Sequence, residues 1–497
     1  MSDAHEQIIL PHPTLPRRVA QTFVATRHTP GDALTLLYWR GDFWSWSGSH
    51  WKRRDLGEIE AELYEFTGDA FYANRDDEPK QWAPNARRIH DVVHALKAVC
   101  RVPDALLQPP CWLDERSLGS IIPCRNGLLV LDGRTLLPHT PQFFNLHALP
   151  YDYDPDARCP VWDGFVQQLW PGDEEPACAL EEFLGCIVAN KTDLHRILVL
   201  VGPPRSGKST ILKVIENLVG LANAVAIQLL KLTDDKTLSS LIGKSVCLIP
   251  DIRATGGKMP EIAEVLLSIS GQDSFTIDRK YKDPWSGSLN ASIVTASNEF
   301  PTLRDASGAL PARYLPIMTT ESFQGREDRT LQPRLLAELP GILNRALDGL
   351  AHVIKTGRFT EPRVSVEAVE DMAEMASPMK RFAAELLAVM PKGGDPAEYT
   401  TPVMDLFRVY RVWGRENDEP PISRETFGQR LRAAVPTIRR SQPRGEGGKR
   451  ISSYAGVRLQ HRETALARAQ RLAHDEMAQR AGSLRVIKGG SNDNSNA

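Results

Sequence analysis

The chain is 497 residues long, 42% hydrophobic and 25% charged, with a formal net charge of −2. That length exceeds a single hydrophobic core and predicts roughly three domains of ordinary globular composition. A balanced charge excludes a chain that is basic throughout, so any nucleic-acid surface must be local. The lack of a long apolar run or of a basic-then-apolar start excludes a membrane span and a secretory signal and predicts a cytoplasmic protein.

Residues 1–30, rich in proline and polar side chains, predict a flexible arm. An N-terminal α+β region is expected over residues 31–155. It opens on LTLLYWRGDFWSWSGSHWKRR, where apolar and polar residues alternate around Gly41 and Gly48, the pattern of a β-hairpin or meander. Trp39, Trp44, Trp46 and Trp51 suit either stacking on bases or a small β core, and alternation, which sends several to one face, favours the core. From Asp55 to Val102 the period turns helical. His90, His94 and Cys100 in that stretch read as side chains of a partly buried helix, and no metal is assigned to them. NGLLVLDGRTLLPHTP predicts two short strands joined at Asp132-Gly133. The seven cysteines are scattered, odd in number and never spaced CxxC, which fits reduced thiols.

Within residues 156–325, strand and helix alternate from 196 to 320, which argues for a mostly parallel sheet. RILVLVGPPRSGKSTILKVIENLVG contains Gly202, then Pro203, Pro204, Arg205 and Ser206, then Gly207, Lys208, Ser209 and Thr210. An apolar strand leads in and a helix leads out, the context in which this spacing cradles phosphates on backbone N–H groups at a helix N-terminus. Lys208 then reaches the β and γ phosphates of ATP, and the Ser209 hydroxyl coordinates Mg²⁺. Downstream, the apolar run Val246–Ile249 delivers one acid, Asp251, to the metal side of the site. The run Ala291–Ala296 delivers Asn298, either a sensor that holds the attacking water or a residue capping the next turn. No second acid follows Asp251; Glu264 on the next helix is a candidate base. Between these strands, FTIDRKYKDPW reads as a hairpin whose tip carries Arg279, Lys280, Tyr281 and Lys282, cations for phosphate around a ring for a base.

The set GPPRSGKST, CLIPD, SGQDSFTIDRKYKDPW and SIVTASNEFP resembles motifs A, B, B′ and C of superfamily 3 helicases, and most closely the phage, plasmid and poxvirus primase-helicase family. NGLLVLDGRTLLPHTPQFF and YDPDARCPVWDGFVQQLW resemble the family's segment ahead of the ATPase. RDASGALPARYLPI and GREDRTLQPRLLAELPGILNRALDGL resemble the family's segment after it, so the likeness runs from about residue 35 to 460. The resemblance implies an α/β fold: a P-loop ATPase of AAA+-like superfamily 3 type with a parallel-sheet core, an N-terminal α+β region and a C-terminal winged-helix domain. It also implies ATP and Mg²⁺ as ligands and a homo-oligomeric ring, a hexamer, with single-stranded DNA in its channel. Lys208, Asp251, Asn298 and Arg313 fall at the family's catalytic positions, with Arg313 of PARY as the finger that reaches a neighbour's γ-phosphate. The leading segment lacks the clustered acids of a primase, so primer synthesis is expected from a separate partner.

Residues 326–370 predict a helical extension and a linker, with TGRFTEPRVS as the linker. Residues 375–460 predict a winged-helix-like DNA-binding domain, in which VMDLFRVYRVWGRENDEPPISRETFGQRLRAAVP resembles the family's module. Arg430, Arg432, Arg439, Arg440, Arg444, Lys449 and Arg450 supply its basic face, which also suits a protein-binding module. Residues 461–497 predict a charged helix and a disordered tail. A DNA helicase, a nucleotide-switched replication initiator or loader, and a phosphate-loop kinase all remain open, and the basic hairpin argues against the kinase.

Overall fold

A computed structural model of the chain describes residues 8–103, 109–114, 116, 119–251, 259–280, 284–299, 309–417, 419–444, 450–461 and 464–468. The fold is mixed α/β and divides into two units. One comprises residues 1–255, 265–301 and 313–365, and the other comprises residues 256–264, 302–312 and 366–497.

The first unit begins with a helix, Pro16–Arg27, where a flexible arm was expected. Pro16 pre-sets the first turn, and Val19, Ala20, Phe23 and Val24 form an apolar stripe buried in one core with the helix Ala86–Val99. Three strands follow, Leu36–Trp39, Asp42–Trp46 and Trp51–Arg54, paired antiparallel as the alternation predicts. Arg40 and Gly41 turn the first hairpin with φ of 48° and 83°, the doubly left-handed turn that matches strand twist. The register sets Leu37 opposite Trp44 and Trp46 opposite Trp51, so one face carries the tryptophans. Trp39 and Trp51 are buried against Phe144, while Trp44 and Trp46 are half-buried. Gly127–Val130 and Thr135–Leu137 form the expected hairpin, extended by a third strand, Ile121–Cys124, that the sequence reading missed.

The centre of this unit is a five-stranded parallel sheet in the order Ala224–Ala226, Val246–Ile249, Ser292–Ser297, Ile197–Val201, Tyr314–Met318. Most of its residues are buried, which is why its strands read as continuous apolar runs. Beside it the helices Glu175–Val188 and Leu339–Thr356 meet backbone to backbone. A Cβ on Gly185 would lie 2.2 Å from the Ala346 carbonyl oxygen, and one on Gly349 would lie 2.6 Å from the Glu182 nitrogen. Glu182 is 2% exposed and accepts hydrogen bonds from the Thr360 amide at 2.6 Å and hydroxyl at 2.7 Å, with His352 Nδ1 at 2.5 Å. TGRFTEPRVS is therefore docked rather than a loose tether. Phe359 is buried beside Phe183, and the next helix, Arg363–Ala376, starts inside the segment.

In the second unit the helices Pro378–Leu386, Val403–Glu416 and Arg424–Ala434 pack around Phe382, Tyr410, Trp413 and Phe427. Antiparallel strands close it: Thr400–Pro402, Ser453–Ala455 and Arg439–Ser441 in one sheet, and Leu387–Val389 with Val457–Leu459 in another. Of the terminal charged segment, residues 464–468 are helical and the rest lies outside the described residues. Among the described residues no helix is long and apolar enough to cross a membrane.

Candidate functional site

The strand Ile197–Val201 and the helix Lys208–Val219 bracket a tight loop, Gly202 to Gly207. Arg205 and Gly207 have φ of 61° and 88°, so the backbone reverses before the helix starts. Gly202 is required by close packing against backbone and Gly207 by its left-handed φ, since its nearest neighbour is the flexible end of a leucine. A Cβ on Gly202 would lie 2.1 Å from Thr319 Oγ1 and 2.2 Å from the Thr319 carbonyl oxygen, and one on Gly207 would lie 2.9 Å from Leu169 Cδ2. The Gly202 amide donates to the Ser297 carbonyl at 3.2 Å.

Residues just past the strand Tyr314–Met318 brace this loop, and sequence reasoning missed them. The Thr319 amide donates to the Val201 carbonyl at 2.7 Å, and its buried hydroxyl lies 2.7 Å from Ser206 Oγ. Ser322 Oγ donates to the Pro204 carbonyl at 2.9 Å, and the Phe323 amide donates to the Arg205 carbonyl at 2.9 Å. The partners are more than a hundred positions apart, so only a strand followed by two threonines, TT at 319–320, hinted at them.

Lys208 is 8% exposed and turns back into the loop. Its ammonium donates to the carbonyls of Gly202 at 2.6 Å and Pro203 at 2.8 Å and to Ser206 Oγ at 3.2 Å. Burial holds its pKa below the usual lysine value. Those three acceptors are neutral, so a phosphate oxygen, which is charged, is the stronger partner for this cation. Ser209 is exposed and Thr210 half-buried in the first helical turn, where N–H groups and the helix dipole favour an anion. The loop thus fits a triphosphate, with Lys208 and the first-turn amides on its oxygens and the Ser209 hydroxyl facing a divalent cation.

Parallel strands bring the other candidates to the same edge. Ile249 pairs with Thr295, and Val201 with both Ser297 and Met318. Asp251, two residues past Ile249, therefore leaves the sheet beside Asn298, Gly202 and Thr319, and Asp251 and Asn298 are both exposed there. The Asp251 carboxylate is a hard oxygen donor of the kind that could hold a magnesium ion. Glu264 is exposed on the helix Met259–Ser270.

Arg313 and the hairpin lie at the opposite edge. Arg313 directly precedes Tyr314, which pairs with Ile197, so a strand length of about 13 Å separates it from the phosphate loop of its own chain. Its guanidinium donates to the Leu267 carbonyl at 2.8 Å and to Ser270 Oγ at 2.9 Å. Four residues on, Ser274–Ile277 pairs antiparallel with Trp285–Ser288, the hairpin expected in FTIDRKYKDPW. Arg279 is half-buried and Lys280 exposed beyond its first strand. Tyr281 and Lys282 lie outside the described residues.

Residues 22–171 match the D5 N terminal like family. That D5 N terminal like segment contains the meander, the three-stranded 121–137 sheet and the helix Pro160–Leu169 under the phosphate loop. Residues 200–313 match a family of unknown function (DUF5906), a span running from Leu200 to Arg313 and enclosing every candidate nucleotide and hairpin residue. Among solved structures, the apo NrS-1 C-terminal region is similar at a TM-score of 0.50 and 10% identity, over 88% of this chain and 98% of that one. Its A form, also apo, gives 0.49 and 10% over 89% and 99%. At such identity the first likeness concerns the fold alone. A JCV helicase structure gives 0.23 and 16% over 51% and 70%, a score too low to establish a common fold.

Proposed function

We propose that this chain is an ATP-driven DNA helicase of superfamily 3 that assembles as a ring, a hexamer, and unwinds DNA during phage or plasmid replication. One observation carries the reading. Lys208, Ser209, Asp251 and Asn298 converge on the carboxyl edge of a parallel sheet, while the basic hairpin and Arg313 stand on its amino edge. The D5 N terminal like match ahead of this sheet supports it.

In this mechanism the Gly202–Gly207 amides and Lys208 hold the β and γ phosphates of ATP, and Asn298 orients the attacking water. Ser209 and Asp251 would hold a magnesium ion, which would supply positive charge against the phosphates. Arg313 cannot serve its own loop across the sheet, so it acts on the γ-phosphate of the next subunit, which makes hydrolysis depend on ring assembly. To do so it releases the Leu267 and Ser270 acceptors at the root of the hairpin, which links turnover to the segment carrying Arg279, Lys280, Tyr281 and Lys282. The second unit is a winged-helix-like DNA-binding domain. Its helix Arg424–Ala434 exposes Arg432, and the strand Arg439–Ser441 exposes Arg439 and Arg440, a basic face for phosphates.

Strand displacement on a forked duplex tests the reading, with parent and Lys280→Ala proteins side by side. The parent unwinds with ATP and its hydrolysis is DNA-stimulated; Lys280→Ala loses unwinding and stimulation. Tight DNA binding without displacement by the parent would instead mark a nucleotide-switched initiator or loader.

A further inference from the structure

A cavity of about 750 Å³ opens in the first unit between the tryptophan meander and the 274–288 hairpin, away from the phosphate loop. Its volume falls in the range of about 300–1,000 Å³ typical of ligand sites. Three features of its wall indicate what it takes.

The charge on the wall is lopsided. Among the described residues Arg40, Arg53, Lys236, Lys244, Arg279 and Lys280 line it with two acids, Asp42 and Asp278, and Asp42 is paired with Arg53 at 3.2 Å. His147 adds no charge, because burial pushes its pKa down to about 4. Aromatic rings form part of the same wall. Trp39, Trp44 and Trp285 line the cavity; Trp44 is half-buried, and the Arg40 guanidinium lies 4.7 Å from the Trp39 ring centroid and 5.8 Å from that of Trp285.

The third feature is unmet hydrogen-bonding capacity. Trp39 Nε1, Asn145 Oδ1 and Asn190 Oδ1 are buried atoms of lining residues without a hydrogen-bond partner among the described residues. Asn145 is 2% exposed, and its Nδ2 donates to the carbonyls of Ser49 at 3.1 Å and His147 at 2.8 Å, which fixes the amide with Oδ1 left over. Buried polar groups left unpaired are rare in native folds. All three atoms have almost no accessible surface, so an occupant of the cavity reaches them only once the side chains in front of them turn aside.

We propose that this cavity holds a nucleotide unit of the single DNA strand, with its base against Trp44 and its phosphates on Lys236, Lys244 and the hairpin cations Arg279 and Lys280. The proposal rests on the helicase reading and extends it, because it takes the strand from the hairpin cations to a receiving wall built by the N-terminal meander. Stacking explains why that wall is aromatic and tolerant of sequence, and the cations explain why it is shared with the hairpin.

Fluorescence anisotropy with the full chain and a labelled oligothymidylate tests it, comparing parent, Trp44→Ala, Lys236→Glu and Lys280→Ala. Lys236 is exposed, so its variant folds normally even if Trp44→Ala does not, and unfolding midpoints are read alongside. Both cavity variants are expected to bind about tenfold or more weakly. Lys236→Glu is also expected to flatten the dependence of log affinity on log salt by about one phosphate contact. An oligonucleotide carrying 5-iododeoxyuridine is expected to cross-link to Trp44. Cavity variants that bind like the parent while Lys280→Ala binds weakly, or cross-links confined to the hairpin, overturn the cavity and leave the helicase reading standing. A parent that does not bind oligothymidylate overturns both.

Discussion

Replacing Gly202 by Ala tests whether the phosphate loop is positioned by the neighbouring strand rather than by its own sequence. The added Cβ would sit 2.2 Å from the Thr319 carbonyl oxygen and 2.1 Å from its hydroxyl. An ordinary carbon–oxygen approach is about 3.3 Å, so the loop has to move by about 1 Å. Overpacking of this kind costs ~1–3 kcal/mol, and each kcal/mol lowers the unfolding midpoint of a unit this size by about 1–2 °C. A ~1 Å displacement of phosphate-binding groups costs about 100-fold in turnover. The assay is a titration with a fluorescent ATP analogue, steady-state hydrolysis and thermal unfolding on one preparation. Thr319→Ala removes the hydroxyl contact and keeps the carbonyl, so the Gly202→Ala/Thr319→Ala double variant stays impaired. Parent-like affinity and turnover in Gly202→Ala, or full recovery in the double variant, would refute the reasoning.

Asp251→Asn keeps the side-chain shape and removes the charge that the metal needs; hydrolysis is expected to fall tenfold or more while ATP-analogue affinity changes far less, and equal losses in both would count against it. Lys208→Ala and Arg313→Ala subunits are each expected to be inactive alone but to regain hydrolysis when mixed, because roughly a quarter of boundaries in a randomly mixed ring pair an intact lysine with an intact arginine. No recovery would place Arg313 in a purely structural role at Leu267 and Ser270. His147 has its pKa pushed down from 6.5 to about 4, first by burial and further by Lys244 and His50, against a raising bond to the Gly243 carbonyl. Between those values the unfolded chain binds the extra proton, so stability is full above pH 6.5 and drains away toward pH 4, by no more than about 3 kcal/mol. His147→Gln is expected to flatten that slope in urea unfolding series run across this range, and an unchanged slope would exclude the histidine as its source.

What the sequence disclosed was local. The glycine-bracketed loop, the two apolar runs ending at Asp251 and Asn298, and the 274–288 hairpin each declare themselves within about ten residues, because periodicity and turn chemistry act at that range. The meander tryptophans were partly legible for the same reason: alternation sends several of them to one face, and the strand register brings Trp39, Trp44, Trp46 and Trp51 together there. Contacts across long stretches of chain left no such mark. Nothing near Ser206 announces Thr319, and nothing in TGRFTEPRVS announces that Glu182 will receive Thr360. The helix at Pro16–Arg27 was masked by flanking prolines and polar residues, although Val19, Ala20, Phe23 and Val24 carry a helical stripe. Arg313 was recognisable as a residue but not as one on the far edge from its own loop, since that depends on strand direction and order.

Gly185 and Gly349 let two helices touch backbone to backbone, and the Arg363 amide reaches the Glu175 carboxylate at 3.3 Å. The polypeptide therefore enters and leaves the five-stranded parallel sheet at one doorway. A segment with adjoining ends behaves as a cassette: it can be inserted, excised or fused to new neighbours without stretching its own scaffold. A side chain at either glycine would force that doorway open, so these two small residues guard the portability of the whole stretch between them.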